Sequence, residues 1–255
     1  MLDGRLDTDV GQGRAWRGQV EARIVAPVQR YIATANLRDG RTRTLPSAAA
    51  TPVVFVVDRD ISVRKALEAL VQRGGWHVET FSCAHEFLAR PRVFAPSCLI
   101  LDVVLPDSSG LDVQKHVAAD RTEMPIIFTA SEADVPTTVQ AMKAGALEFF
   151  LKPLCDHVVL SAIERAIEFS RTARREQAEI GALQDRHACL TQREREVMAL
   201  VAAGRLNKQV ASELGISEIT VKAHRGSAMR KMHADSFATL VGIAIKLGLA
   251  ATPTR

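Results

Sequence analysis

Five polar side chains lie where short apolar segments end, and their chemical types suit work on a charged group. Asp58, Asp102 and Lys152 each follow an apolar run directly, Thr129 closes another run, and Asp60 lies two residues beyond Asp58. Clustered carboxylates attract a cation, and a lysine ammonium stabilises negatively charged oxygens. These residues form one site only if the segments before them end at the same edge of the fold.

Those segments alternate with amphipathic stretches, and continuous apolar runs are typical of strands buried on both faces. The predicted strands cover residues 53–57, 78–81, 98–101, 126–129 and 148–151. The predicted helices cover residues 62–73, 84–90, 111–119 and 137–144, with a long fifth helix capped by Asp156. This alternation predicts an α/β fold, a flavodoxin-like doubly wound five-stranded parallel sheet, in which ligands bind at the carboxyl ends of the strands.

The C-terminal part of the chain carries a different, all-helical pattern. Thr191, followed three residues later by Glu194, forms a capping box that begins one helix, and a second helix begins at Asn207. Gly215 makes a turn, and Ser217 caps a third helix that carries basic side chains. This order predicts a small all-α helix-turn-helix domain that presents a recognition helix to the major groove of DNA. A last helix is predicted over residues 236–247.

The charge is divided along the chain in a way that fits these two patterns. The whole chain of 255 residues carries a net charge of +4, of which residues 1–50 carry +3, residues 51–188 carry −4 and residues 189–255 carry +5. An acidic middle suits a site that gathers a cation, and a small basic domain suits the phosphate backbone of double-stranded DNA.

Composition makes a membrane or exported protein improbable. No apolar run approaches the roughly 20 residues that a membrane helix needs, and acids and arginines occupy the N-terminus where a signal peptide has an apolar core. The four cysteines are scattered and form no CxxC pair, which favours free thiols in a reducing compartment. We therefore expect a cytoplasmic protein without a membrane partner.

The strand-end residues form an ordered set: Asp58-Arg59-Asp60, then Asp102, then Thr129-Ala130, then Lys152-Pro153. This set resembles the receiver domain of two-component response regulators, and residues 190–250 resemble a LuxR-type helix-turn-helix. The whole layout is similar to the NarL/FixJ family. The predicted organisation is an N-terminal extension without stable structure (1–50), a receiver domain (51–170), a helical linker (171–188) and a DNA-binding domain (189–252).

The resemblance implies a role for each pocket residue. Asp102 would be phosphorylated, because its carboxylate attacks the phosphorus of a phosphohistidine on a cognate histidine kinase and forms an acyl phosphate. Mg²⁺ would offset the repulsion between the two anions, held by Asp58, Asp102 and the carbonyl of Val104. Lys152 would neutralise the phosphoryl oxygens.

Two further residues would report the arrival of phosphate. The Thr129 hydroxyl would donate a hydrogen bond to a phosphoryl oxygen, and the aromatic ring of Phe149 would change rotamer as Thr129 moves. The expected result is a homodimer that binds two DNA half-sites and affects transcription, with RNA polymerase as a possible further partner.

The same resemblance assigns the DNA contacts. Lys222 and Ala223 would face base edges, whereas Lys208, Thr220 and Arg225 would meet phosphates. His224 and Arg230 are the remaining polar positions of the recognition helix. Gly226 occupies a position where relatives often have a polar or basic residue, so one base contact is expected to be missing.

One residue departs from the receiver pattern. The family usually has two consecutive acids after the first strand, and here the second of them is replaced by Arg59. A guanidinium near Asp58 and Asp102 would compete with Mg²⁺. Alternatively, Arg59 pairs with Asp102 in place of the cation, or extends harmlessly into solvent, with Asp60 substituting in part for the missing acid.

Two other functions remain open at this point. The receiver could be a dimerisation or interaction module that needs no phosphorylation, which Arg59 favours. The strand followed by Asp58-Arg59-Asp60 also resembles the first motif of haloacid-dehalogenase-type phosphatases, with Asp58 as nucleophile and Asp60 as acid. That family needs a downstream acidic pair, which is not found after Lys152, so we expect a protein that is not an enzyme.

Overall fold

The computed structural model describes residues 51–132 and 134–249. The predicted N-terminal extension, residues 1–50, lies outside the described residues, as do the last three residues of the predicted DNA-binding domain. The chain divides between Arg174 and Arg175 into two compact units.

The first unit contains a five-stranded sheet in which every strand pairs in parallel. The strands are β1 (Val53–Val57), β2 (His77–Phe81), β3 (Ser97–Asp102), β4 (Ile126–Ala130) and β5 (Glu148–Leu151). Their order is β2-β1-β3-β4-β5, and the register places Asp102 beside Thr129. The predicted flavodoxin-like fold is therefore confirmed.

Helices lie between the strands and supply the two layers that cover the sheet. They are α1 (Ile61–Arg73), α2 (Ala84–Ala89), α3 (Gly110–Asp120), α4 (Val135–Lys143) and α5 (Asp156–Ala188). Strands β1, β3 and β4 are buried along their whole lengths. Alternate residues of β1 belong to two separate apolar clusters, with Phe55 in one and Val54 in the other. A strand between two such layers must be apolar on both sides.

Helix α5 is continuous from Asp156 to Ala188, so the segment 171–188 is helical throughout. One expectation is wrong: Asp156 is the first helical residue rather than the cap. The division between the two units falls inside this helix, and the domain boundaries given above remain predictions.

The second unit is helical, with α6 (Gln192–Ala202), α7 (Asn207–Leu214), α8 (Glu218–Met232) and α9 (Phe237–Lys246). Thr191 and Glu194 form the predicted capping box. Gly215 ends α7 with φ +66°, a conformation that a residue with a Cβ rarely adopts. Val221, Ala228 and Met232 of α8 are buried in the core of this unit.

A glycine fixes the position of the end of β3. A Cβ on Gly110 would lie 2.4 Å from the backbone oxygen of Asp102 and 3.1 Å from the ring of Phe128. We expect Gly110→Ala to lower the free energy of unfolding by about 1–3 kcal/mol, because the backbone must shift to admit the methyl group. Denaturant unfolding of the full chain measures this loss.

Gly226 provides the matched control. It lies inside α8, and a Cβ there would meet nothing within 4 Å. Gly226→Ala should raise the stability of the second unit by up to about 1 kcal/mol, since alanine favours the helix. Equal free energies of unfolding for wild type and Gly110→Ala would contradict the close approach of Gly110 to the backbone of Asp102.

Candidate functional site

A small acidic pocket lies at the carboxyl ends of the strands, formed by Asp58, Asp102, Thr129 and Lys152; we call it the strand-end pocket. Lys152 Nζ lies 2.6 Å from Asp58 Oδ2 and 3.3 Å from Asp102 Oδ2. Both carboxylates are buried, with Asp58 1% and Asp102 3% exposed. The three predicted charged residues at the carboxyl ends of β1, β3 and β5 therefore meet at one point.

The two carboxylates differ in their surroundings. Asp58 accepts hydrogen bonds at both oxygens, from the backbone N–H of Asp60 at 2.8 Å and from Lys152. For Asp102, burial raises the pKa above its usual value, the nearby charge of Asp58 raises it further, and Lys152 and the backbone N–H of Val104 oppose the rise. Asp102 is thus a desolvated carboxylate that gains from any additional positive charge.

Thr129 lies next to Asp102 and has an unused hydrogen-bonding group. Its hydroxyl is buried and has no hydrogen-bond partner among the described residues. A buried hydroxyl without a partner costs free energy, so the site gains from any ligand that offers this hydroxyl an acceptor. Phe149, two strands away from Asp102, stacks on Phe128 with ring centroids 6.0 Å apart.

Arg59 does not enter the strand-end pocket. Its side chain is exposed, and it takes part in no ion pair within the described part of the chain. The alternative in which Arg59 pairs with Asp102 is therefore wrong for this structure, because Lys152 occupies that role. Asp60 is also directed elsewhere, since its carboxylate caps α1 through the N–H of Ser62 at 2.8 Å.

Sequence reasoning missed one residue beside the pocket. Arg64 on α1 donates to the carbonyl oxygens of Asp58 at 2.7 Å and of Arg59 at 3.1 Å. It holds the turn that follows β1. The only signal in the sequence was a basic residue on a predicted helix, and that does not reveal which carbonyl groups it reaches.

The remaining pocket residues bear on cation binding. Within residues 51–132 and 134–249, no group of three or more His, Cys, Asp or Glu side chains is placed to hold a metal ion. Two buried carboxylates remain, Asp58 and Asp102, and Val104, two residues beyond Asp102, is exposed. Mg²⁺ commonly binds proteins through only one or two carboxylates and keeps several waters, so this donor set fits a magnesium ion without supplying a third acid.

The predicted DNA-contacting residues lie on α7 and α8. Lys208, Lys222, Ala223 and Arg230 are exposed, whereas Thr220, His224 and Arg225 are half-buried. The Thr220 hydroxyl lies 2.8 Å from Ser217 Oγ at the helix cap.

Arg225 has two contacts within its own unit. Its guanidinium donates to Asn207 at 3.2 Å and lies over the ring of Phe237 at 5.8 Å. The hydrogen bond to Asn207 uses one of the five N–H donors of the guanidinium.

Each of the two units matches a known protein family. Residues 54–164 match the family described as the response regulator receiver domain, and residues 188–244 match the bacterial regulatory proteins of the luxR family. Nodulation protein W of Bradyrhizobium diazoefficiens is 44% identical over 82% of this chain and 92% of its own length. The chain belongs to the response regulators. It combines a receiver with a LuxR-type DNA-binding domain.

Other relatives also match most of the chain. The response regulator protein TodT of Pseudomonas putida is 42% identical over 76% of this response regulator and 86% of TodT. The transcriptional regulatory protein FixJ of Rhizobium meliloti is 37% identical over 76% and 96%. Among solved structures, response regulator StyR is 42% identical to this chain and superposes with a TM-score of 0.66. The match covers 77% of this chain and all of the StyR chain. No helix in the described residues is long and apolar enough to cross a membrane.

A buried ionic cluster in the response regulator's second unit holds α6 against α8. Glu194 is 5% exposed, and it accepts hydrogen bonds from Lys231 at 2.7 Å, from Ser227 and from the N–H of Thr191 at 2.7 Å. The bonds from Lys231 and Ser227 lower the pKa of Glu194 from 4.5 to about 2. The sequence revealed the capping role of Glu194 but not its two contacts with the recognition helix.

Glu194→Gln should therefore destabilise the second unit by about 2 kcal/mol at neutral pH, because hydrogen bonds to a charged group are lost. A lowered pKa contributes stability that is present above the unfolded value of about 4.5 and is lost as pH falls towards 2. The difference in the free energy of unfolding between wild type and Glu194→Gln should therefore disappear as the pH falls from about 4.5 to about 2. Denaturant unfolding at several pH values measures it.

Glu196→Gln is the matched control. Glu196 lies on the same helix and pairs with Arg193 at the surface, at 2.9 Å. Exposed pairs contribute little, so this variant should change stability by less than about 0.5 kcal/mol. If the loss of stability in Glu194→Gln stays constant down to pH 2, the charge of Glu194 does not stabilise the second unit.

Proposed function

We propose that this response regulator binds DNA under the control of phosphorylation at Asp102 by a partner histidine kinase, and that Arg59 weakens the binding of Mg²⁺ to its pocket. The observation that carries the proposal is the unpartnered, buried hydroxyl of Thr129 beside Asp102. A phosphoryl group on Asp102 would give that hydroxyl an acceptor. It would also add negative charge next to Lys152.

The covalent step transfers a phosphoryl group from the partner kinase to Asp102. An oxygen of Asp102 attacks the phosphorus of a phosphohistidine, a phosphorus–oxygen bond forms, and the phosphorus–nitrogen bond breaks. The imidazole leaves and takes up a proton from water. Lys152, 3.3 Å from Asp102, neutralises part of the charge on the transferred group, and the Thr129 hydroxyl donates a hydrogen bond to one phosphoryl oxygen.

The same residues define the role of the cation. Asp58, Asp102 and the Val104 carbonyl would hold Mg²⁺, which supplies positive charge between the carboxylate and the incoming phosphoryl group. Lys152 already neutralises one of the two carboxylates, and the exposed guanidinium of Arg59 occupies the position where receiver domains usually have the second of two consecutive acids. Both features lower the negative potential that attracts the cation.

The output belongs to the second unit. Phosphorylation would shift a two-state receiver and favour a homodimer, which places two α8 helices on half-sites about one turn of DNA apart. Lys222 and Ala223 face base edges in this proposal, and the basic positions around them meet phosphates. The cognate kinase and RNA polymerase remain proposed partners.

Phosphoryl transfer from acetyl phosphate to the full chain tests the proposal. We expect a mass increase of one phosphoryl group that is lost with hydroxylamine, with half-maximal formation at a higher Mg²⁺ concentration than Arg59→Asp needs. A wild-type chain that accepts no phosphoryl group at any Mg²⁺ concentration would overturn it.

A receiver that needs no phosphorylation is the second candidate, and one observation favours it: Lys152 already pairs with both buried carboxylates, Asp58 and Asp102. In that case Lys152 serves as a permanent internal cation for the strand-end pocket. Unchanged DNA binding by Asp102→Asn, with and without a phosphoryl donor, would support this candidate.

The phosphatase alternative has no support. This protein belongs to a family of transcription regulators and not of enzymes, and its two supposed catalytic acids are engaged elsewhere. Asp58 is bound by Lys152, and Asp60 caps α1.

A further inference from the structure

The recognition helix α8 carries one large apolar side chain that nothing in the second unit covers. Ile219 is 80% exposed, and it is the second residue of the helix after the Ser217 cap. In helix-turn-helix proteins the first residues of the recognition helix contact base edges. Ile219 is therefore placed where DNA bases come closest.

The position of Ile219 around the helix is equally specific. Lys222, Ala223 and Gly226 follow it at intervals of three, four and seven residues, so they share its face. The buried residues Val221 and Ala228 lie on the opposite side. The side chain thus points away from the core and along the face that carries the proposed base-reading residues.

Small residues on the same face of α8 allow DNA to approach the helix closely. Ala223 ends at a methyl group, and a Cβ built on Gly226 would meet nothing within 4 Å, so no neighbouring residue requires glycine there. On this face Ile219 is the one large apolar side chain, Lys222 is the one cation, and Ala223 and Gly226 project little from the helix.

We infer that Ile219 is a specificity residue that reads thymine through its C5-methyl group. Thymine alone among the four bases presents a methyl group in the major groove, and apolar side chains contact it. Neither a phosphate nor the donor and acceptor groups of the other bases gain from contact with isoleucine. The inference rests on DNA binding by α8 and adds a base preference to it.

The first experiment selects duplexes from a pool with a randomised centre. The full chain, with acetyl phosphate present, is compared with Ile219→Ala and with the control Leu206→Ala. Leu206 is 69% exposed but lies outside α8. We expect wild type and Leu206→Ala to select a fixed thymine in each half-site, and Ile219→Ala to lose that thymine while the other selected positions remain.

The second experiment removes only the methyl group. In the duplex selected by wild type, the fixed thymine of one half-site is replaced by deoxyuridine. The affinity of wild type should fall about fourfold, which is the effect of one buried methyl group. Ile219→Ala should bind the thymine duplex and the deoxyuridine duplex with the same affinity.

The outcomes separate the inference from the function on which it rests. A chain that binds no duplex in any state overturns DNA binding and the inference together. Selection of the same sequences by wild type and Ile219→Ala, or no effect of deoxyuridine, overturns the inference alone. The same holds if Ile219→Ala changes only the assembly state in sedimentation, because Ile219 would then contact a second copy of the chain.

Discussion

Asp102→Asn is expected to reduce acyl phosphate formation by more than a hundredfold. The amide nitrogen and oxygen of asparagine are poor nucleophiles, so the bond to phosphorus does not form. Incubation of the full chain with acetyl phosphate and Mg²⁺, followed by intact mass measurement, gives the phosphorylated fraction. The fold should survive, because asparagine has the same size as aspartate and Lys152 keeps its shorter ion pair with Asp58, at 2.6 Å.

Asp107→Asn is the matched control. Asp107 lies five residues beyond Asp102, is exposed, and accepts the N–H groups of Ala84 at 3.0 Å and His85 at 2.8 Å. Asparagine can keep one of those bonds, so phosphorylation of this variant should match that of wild type. Phosphoryl transfer to Asp102→Asn at the wild-type level would place the acceptor elsewhere in the chain.

Arg59→Asp should tighten Mg²⁺ binding by roughly tenfold or more. The change replaces a positive charge near the pocket with an acid, at the position where the receiver pattern usually has its second acid, so the cation gains a ligand and loses a repulsion. Titration of the full chain with Mg²⁺, followed by calorimetry or by protection from thermal unfolding, gives the affinity.

Two further variants separate the causes. Arg59→Gln removes the charge without adding a ligand, and it should give a smaller gain than Arg59→Asp. Lys65→Asp reverses an exposed charge on α1, and it should change the affinity very little because solvent and salt screen it. Equal affinities for wild type and Arg59→Asp would mean that Arg59 has no influence on the cation.

The fold and the strand ends were predictable because local patterns determine both. Fully apolar runs predict strands buried on two faces, and in a parallel sheet their carboxyl ends share one edge, which brought Asp58, Asp102 and Lys152 together. The caps at Thr191 and Ser217 were predictable for a similar reason, since each cap bonds to a backbone group within three residues.

Contacts between distant residues were not predictable in the same way. The reach of Arg64 to the Asp58 carbonyl depends on its rotamer, and the bond from Lys231 to Glu194 joins residues 37 positions apart. The direction of Arg59 is another such case: its charge suggested a pair with Asp102, but Lys152 reaches that carboxylate. The unpartnered hydroxyl of Thr129 also becomes visible only when its neighbours are placed.

The most direct test is the affinity of the full chain for a selected duplex, measured with and without acetyl phosphate for wild type and for Asp102→Asn. If the strand-end pocket controls α8, the phosphoryl donor should strengthen DNA binding by wild type at least fivefold and leave Asp102→Asn unchanged. The same affinity for wild type in both conditions, or an equal gain for Asp102→Asn, would contradict control of DNA binding by this carboxylate.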